Sequence, residues 1–222
     1  MTEAEWLAYD HPSSLLRCLV RRFDKVSYRK MHLFGCACCR RIWHLLRDPG
    51  SRHAVEVAER YADRLATRKE LAAARETAFS VARVSLRDAS ETAFERAARA
   101  AALCAQSNGR EAGRTASHDA AKAAGDAAYF GSGGAAVHPI EVWHLAIKME
   151  EREQATLFRE VFGNPFRPTT ISPAWVAWQD GAVPKIAQVI YDELAFEQLP
   201  VLADALEEAG CADDELLVAG HF

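Results

Sequence analysis

No run of apolar residues in this sequence approaches the roughly 18 to 20 needed to span a bilayer. The opening residues, MTEAEWLAYD, are acidic and lack the basic-then-apolar order of a secretory signal. Together these absences point to a cytoplasmic protein without membrane contact, whose six cysteines are expected as reduced thiols. No alternating apolar and polar stretch reads as a strand. There is no G-x-S-x-G elbow, and GSGG at 131–134 lacks the Lys-Ser/Thr of a phosphate loop. No nucleophile–base pair or acid–base dyad can be assembled from local spacing, so no catalytic residue is assigned.

What is present is helix signal almost throughout, in a chain of 222 residues that can bury a sizeable core. Thr2 with Glu5 forms a capping box ahead of a short first helix. His11-Pro12 opens a second, in which Leu15, Leu16, Leu19, Val20 and Phe23 repeat at helical spacing. Ser27 caps the next helix and Asp48-Pro49-Gly50 ends it, while Ser51 caps a helix running to about Ala66. Thr67 and Glu70 form a second capping box. From Thr67 to Gln106 there is neither proline nor glycine, which predicts one long helix or two nearly continuous ones, stopped by Ser107-Asn108-Gly109. A helix over 117–129 and one over 139–162 follow, then shorter ones from Ser172-Pro173, over 184–198 and over 200–209.

Alanine makes up a third of residues 54–128. Ala54, Ala58, Ala62 and Ala66 lie four apart, as do Ala89, Ala93, Ala97, Ala101 and Ala105. Such rows are helix ridges, and methyl-sized ridges let helices approach to about 8 Å. The expected fold is therefore all-α, an irregular bundle of seven to nine helices with an Ala-rich long central helix. It reads as one domain over 1–222, with a possible joint at 131–138 between the N-terminal and central part and the C-terminal helices. Charge is uneven. Residues 1–53 carry ten Lys/Arg against five Asp/Glu, whereas 141–222 carry five against fifteen. The basic start is expected to pack against the acidic end. A nucleic-acid partner for the basic region is the less favoured alternative.

The densest chemistry is FGCACCRRIWHLL at 34–46. At 100° per residue, Met31, Phe34, Cys38, Ile42 and Leu45 share one stripe, which reads as core. His32, Cys36, Cys39 and Trp43 share another, within about 60°. That face offers an imidazole and two thiols, a soft ligand set suited to zinc, with Cys104, Cys211, His118, His138 or His144 as a possible fourth ligand. Close packing of small thiols and a redox pair are the other readings of the same residues. Glu141-x-x-His144 has the ligand unit of di-iron bundles, in a single copy. Arg47 and His53 match the R-x5-H spacing of all-helical ribonucleases. Trp143, Trp175 and Trp178 with Arg167 could form a stacking surface.

MTEAEWL, LFGCACCRRIWHLL, AVEVAERYADRLAT, FREVFGNPFRP, PAWVAW and IAQVIYDELAFEQLPVLADALEEAGC together resemble a heavily duplicated planctomycete-type family of uncharacterised proteins. The resemblance covers both ends of the chain and implies a further C-terminal element beyond Phe222. It brings no activity with it. The function expected is a non-catalytic helical interaction or regulatory module with a protein partner. The alternatives are a zinc or other soft-metal protein using Cys36, Cys39 and His32, and a helical ribonuclease. No cofactor is expected apart from that zinc.

Overall fold

The structure, a computed structural model, describes residues 1–23, 26–84, 92–131, 139–167, 170–193, 195–213 and 216–217. Among these residues all regular structure is helical. The helices are α1 (Glu3–Ala8), α2 (Pro12–Phe23), α3 (Tyr28–Arg41), α4 (Pro49–Ala62), α5 (Arg68–Val84), α6 (Thr92–Cys104), α7 (Gly109–Gly131), α8 (Pro139–Phe162), α9 (Pro173–Ala177), α10 (Ala182–Glu193) and α11 (Leu199–Glu208). The all-α fold is as expected, but the count exceeds nine. Thr67–Gln106 divides into α5 and α6, and α1 and α9 are only six and five residues long. The long central helix is α7, not the stretch from Thr67.

The caps explain which boundaries are legible. In the Thr2/Glu5 box the Glu5 N–H donates to Thr2 Oγ1 at 3.2 Å, and the Thr2 N–H to Glu5 Oε2 at 2.7 Å. Thr67 and Glu70 repeat that geometry. Ser27 caps α3 through the Lys30 N–H. Several boundaries fall elsewhere than expected: α3 ends at Arg41 rather than at Asp48-Pro49-Gly50, α4 at Ala62 rather than about Ala66, and α10 at Glu193 rather than 198. Asp48, not Ser51, caps α4, accepting from the N–H groups of Gly50 and Ser51, with Pro49 at the first helical position. Proline there already has the helical φ and has no N–H to satisfy, so it starts this helix, the previous one having ended at Arg41. Likewise Asn108 accepts from the N–H groups of Arg110 and Glu111 and starts α7 eight residues before 117.

The chain divides into two compact units, Met1–Phe166 and Arg167–Phe222. The joint read at 131–138 falls, apart from Gly131, outside the described residues. The helix that follows it, α8, packs on α7 within the first unit. In that unit α3 is enclosed by α4, α6, α7 and α8. It meets α7 backbone to backbone. A Cβ on Gly113 would lie 2.5 Å from the Met31 carbonyl oxygen, one on Gly109 2.4 Å from the Tyr28 carbonyl oxygen, and one on Gly35 3.2 Å from Gly113 Cα. α6 packs on α7 through buried Ala97, Ala100 and Ala101 and buried Ala116, Ala120 and Ala123. Two ion pairs cross this interface. Arg96 Nε donates to Asp126 and Arg99 Nε to Asp119, each at 2.6 Å, and both carboxylates are buried. Arg41 joins α3 to α8 through a two-pronged contact with Glu150 at 2.9 and 3.1 Å. The basic N-terminal stretch thus spends Arg29, Arg40 and Arg41 on acids of its own unit, Asp63, Glu59 and Glu150.

In the second unit α10 packs on α9 and α11, and Val183, Ile190, Ala203, Ala205 and Cys211 are buried. Gln179, Asp180 and Gly181 all have positive φ at the turn into α10, with the Gly181 N–H donating to the Trp178 carbonyl.

Replacing Gly113 by alanine sets two effects against each other. Helix propensity favours the change by about 1 kcal/mol, while forcing a methyl to 2.5 Å from the α3 backbone costs about 1–3 kcal/mol. The overlap should win, so Gly113→Ala should lower stability by up to about 2 kcal/mol in urea denaturation. Gly131→Ala, with nothing within 4 Å, should be neutral or slightly stabilising. Equal stability of both variants would mean that the α3–α7 contact is not tight.

Candidate functional site

The phase read from the cysteine helix is correct. Cys38 is fully buried on the stripe with Phe34 and Ile42. Most of the second stripe is buried as well, because α4, α6, α7 and α8 pack around α3: His32, Cys36 and Cys39 are each 3 % exposed or less, while Trp43 is partly buried.

His32 is held by main chain. Its Nδ1 lies 3.1 Å from the Tyr28 carbonyl oxygen and its Nε2 2.7 Å from that of Gln106, with the ring edge-on to Tyr61. Both ring nitrogens are therefore engaged, and the imidazole ties α3 to the turn between α6 and α7. The third thiol at the pair is that of Cys104, from the end of α6, which is hydrogen-bonded with Cys36 and Cys39. The Cys36 thiol also points to the Val55 carbonyl at 3.9 Å, and that of Cys104 to the Ala101 carbonyl at 3.0 Å. Among the described residues no group of three or more His, Cys, Asp or Glu side chains is disposed to hold a metal ion.

The electrostatics of this cluster are those of shielded thiols. Hydrogen bonding with Cys36 and Cys39 that favours the protonated Cys104 thiol, and then burial, push Cys104 well above the ordinary cysteine range. Burial, and then the neighbouring Cys39, does the same to Cys38. A redox-active cysteine needs the opposite, a thiolate favoured by a cation or a helix N-terminus.

The other sequence candidates lie apart. Arg47 stacks on Phe94, its guanidinium carbon 3.3 Å from the ring centre, while His53 is exposed beside Glu56. His144 Nδ1 lies 2.8 Å from the Ile140 carbonyl, and Glu141 is exposed on the same turn. His118 is exposed, its pKa lowered by partial burial and by Lys122. His138 lies outside the described residues. Trp143 belongs to the first unit and donates to Asp126 at 2.7 Å, whereas Trp175 and Trp178 belong to the second.

Exposed apolar side chains that pattern reading passed over lie in the second unit. Between Arg167 and Phe222 there are ten Asp/Glu against two Lys/Arg. On α10, α11 and the short turn between them Val189, Tyr191, Phe196 and Val201 are exposed, Tyr191 by 58 % and Phe196 by 50 %. The signal was available in the sequence as aromatic residues set among acids, YDELAFEQLPV, where a helical surface would ordinarily be polar. No helix among the described residues is long and apolar enough to cross a membrane. No protein-family model, curated protein or solved structure matches the chain.

Shielded thiols have a direct chemical consequence. Iodoacetamide should leave Cys38 and Cys104 unmodified in the native protein and label them once denaturant is added, as read by peptide mass spectrometry. Labelling in the native state would mean that α3 and α6 separate readily. Cys38→Ala should cost about 1 kcal/mol or more through lost packing, and Cys38→Ser a further ~1–3 kcal/mol for an unpartnered hydroxyl.

Proposed function

We propose that this chain is a non-catalytic helical interaction module whose second unit takes a basic, amphipathic segment of a protein partner. The observation that carries the reading is the pairing of acid and exposed apolar side chains on α10 and α11. Large apolar side chains set in a charged surface mark contact with another molecule rather than with water. The strong acidic excess repels nucleic acid and anionic lipid and attracts cationic chains. A helix with lysines beside leucines meets both requirements at once.

The measurement is fluorescence anisotropy of the full chain with a labelled amphipathic Leu/Lys peptide, with a Leu/Glu peptide of the same pattern as control. The Leu/Lys peptide should bind with a dissociation constant of ~10 μM, weakened about ten-fold between ~50 and ~500 mM salt. Tyr191→Ser together with Phe196→Ser, which leaves the charge unchanged, should weaken it about ten-fold again. Equal binding of the Leu/Glu peptide, or unchanged affinity in the double variant, would sink the reading.

A second reading, a soft metal such as zinc on Cys36 and Cys39, rests on the thiol of Cys104 beside that pair and requires the three to draw together, since as placed they do not form a metal-holding group. Elemental analysis of the chain purified without added metal decides it. Stoichiometric zinc and a melting temperature lowered by chelator carry it, and metal-free protein indifferent to chelator removes it.

A further inference from the structure

At the start of α4 stands a side chain that the fold does not explain. Ser51 is 1 % exposed, and its buried hydroxyl has no hydrogen-bond partner. Buried polar atoms are nearly always paired, because leaving one unpaired forfeits its hydration without return. Ser51 lines a cavity of about 190 Å³ together with Leu46, Arg47, Asp48, Val81, Phe94 and Ala98. That volume is below the roughly 300–1,000 Å³ of drug-sized sites and suits a metabolite of few atoms.

The charges at the cavity are set in place and only partly used. Asp48 Oδ1 accepts the Gly50 and Ser51 N–H groups, which fixes the carboxylate and satisfies the helix terminus, so a free anion has no call on those donors. The Arg47 guanidinium is stacked on Phe94 and forms no ion pair among the described residues. A cation alone would meet Arg47, and an anion alone would meet Asp48. A molecule carrying both charges matches both, and Leu46, Val81 and Ala98 offer an apolar wall to the rest of it.

We infer that this cavity binds a small zwitterion, an α-amino acid with a short aliphatic side chain, with its carboxylate on Arg47, its ammonium on Asp48 and the Ser51 hydroxyl as the buried polar contact. The side chain of the ligand lies against Leu46, Val81 and Ala98. Discrimination comes from the paired charges, since an analogue lacking either one leaves its partner uncompensated. The inference is independent of the acidic surface on the second unit, and either can fail without the other.

The test is isothermal titration of the full chain with L-leucine and L-valine, with isovalerate and isobutylamine as single-charge controls. The amino acids should bind saturably with a dissociation constant of ~0.1–1 mM, and each control about ten-fold more weakly. Arg47→Gln and Ser51→Ala should both keep the circular dichroism of the parent, the second because it removes only an unpaired hydroxyl. Each should weaken L-leucine binding about ten-fold. No saturable heat from either amino acid up to ~10 mM overturns the assignment, as does equal binding of a single-charge control or parent affinity in either variant.

Discussion

Where α3 meets α7, three glycines let two helix backbones touch, and the rest of the first unit is packed around that contact. Gly109 and Gly113 of α7 rest on the carbonyls of Tyr28 and Met31, and Gly35 of α3 rests on Gly113. Helices this close leave room beside them only for small side chains. Alanine fills the adjoining α6–α7 layer, and cysteine fills the α3–α6 layer where Cys36, Cys39 and Cys104 meet. The thiol cluster then follows from spacing. A leucine at any of the three positions would push α6 away from the pair of helices it leans on.

An alanine layer has a weakness of its own. Its ridges repeat every four residues, so sliding α6 by one turn along α7 would present an almost equivalent surface. Arg96–Asp126 and Arg99–Asp119 remove that freedom, because each carboxylate is buried and a slipped register would leave it without its guanidinium. Losing one partner of such a pair costs about 3–5 kcal/mol, even where the intact pair adds little net stability. Arg96 and Arg99 act in this way as register pins for α6 on α7.

Features encoded within one or two turns were legible in the sequence. The two capping boxes, the Ser27 cap, the span of α8 and the apolar stripe through Phe34, Cys38 and Ile42 all depend on neighbours three or four residues apart. Asp48-Pro49 and Asn108-Gly109 were misread because such dipeptides serve equally to stop a helix and to start one, and here they start α4 and α7. His32 was placed on the right face of α3. Its partner, the Gln106 carbonyl, is 74 residues away, and nothing in the spacing of α3 announces it. The same holds for Cys104 and for the unpaired hydroxyl of Ser51, which are properties of packed neighbours rather than of sequence period.

The first helix is held by residues that come last in its unit. Trp6 is fully buried against Phe158 and Phe166, and Arg159 donates to the carbonyl of Trp6. During synthesis, at about 5–20 residues per second, α1 leaves the ribosome well before its socket on α8 exists. For that interval the Trp6 side chain has no apolar surface to cover it. The nascent chain therefore carries an uncovered tryptophan until the FGNPFRP segment emerges. The acids around it, Glu3, Glu5 and Asp10, set that tryptophan in a charged stretch, the kind of setting that limits association of an uncovered apolar residue.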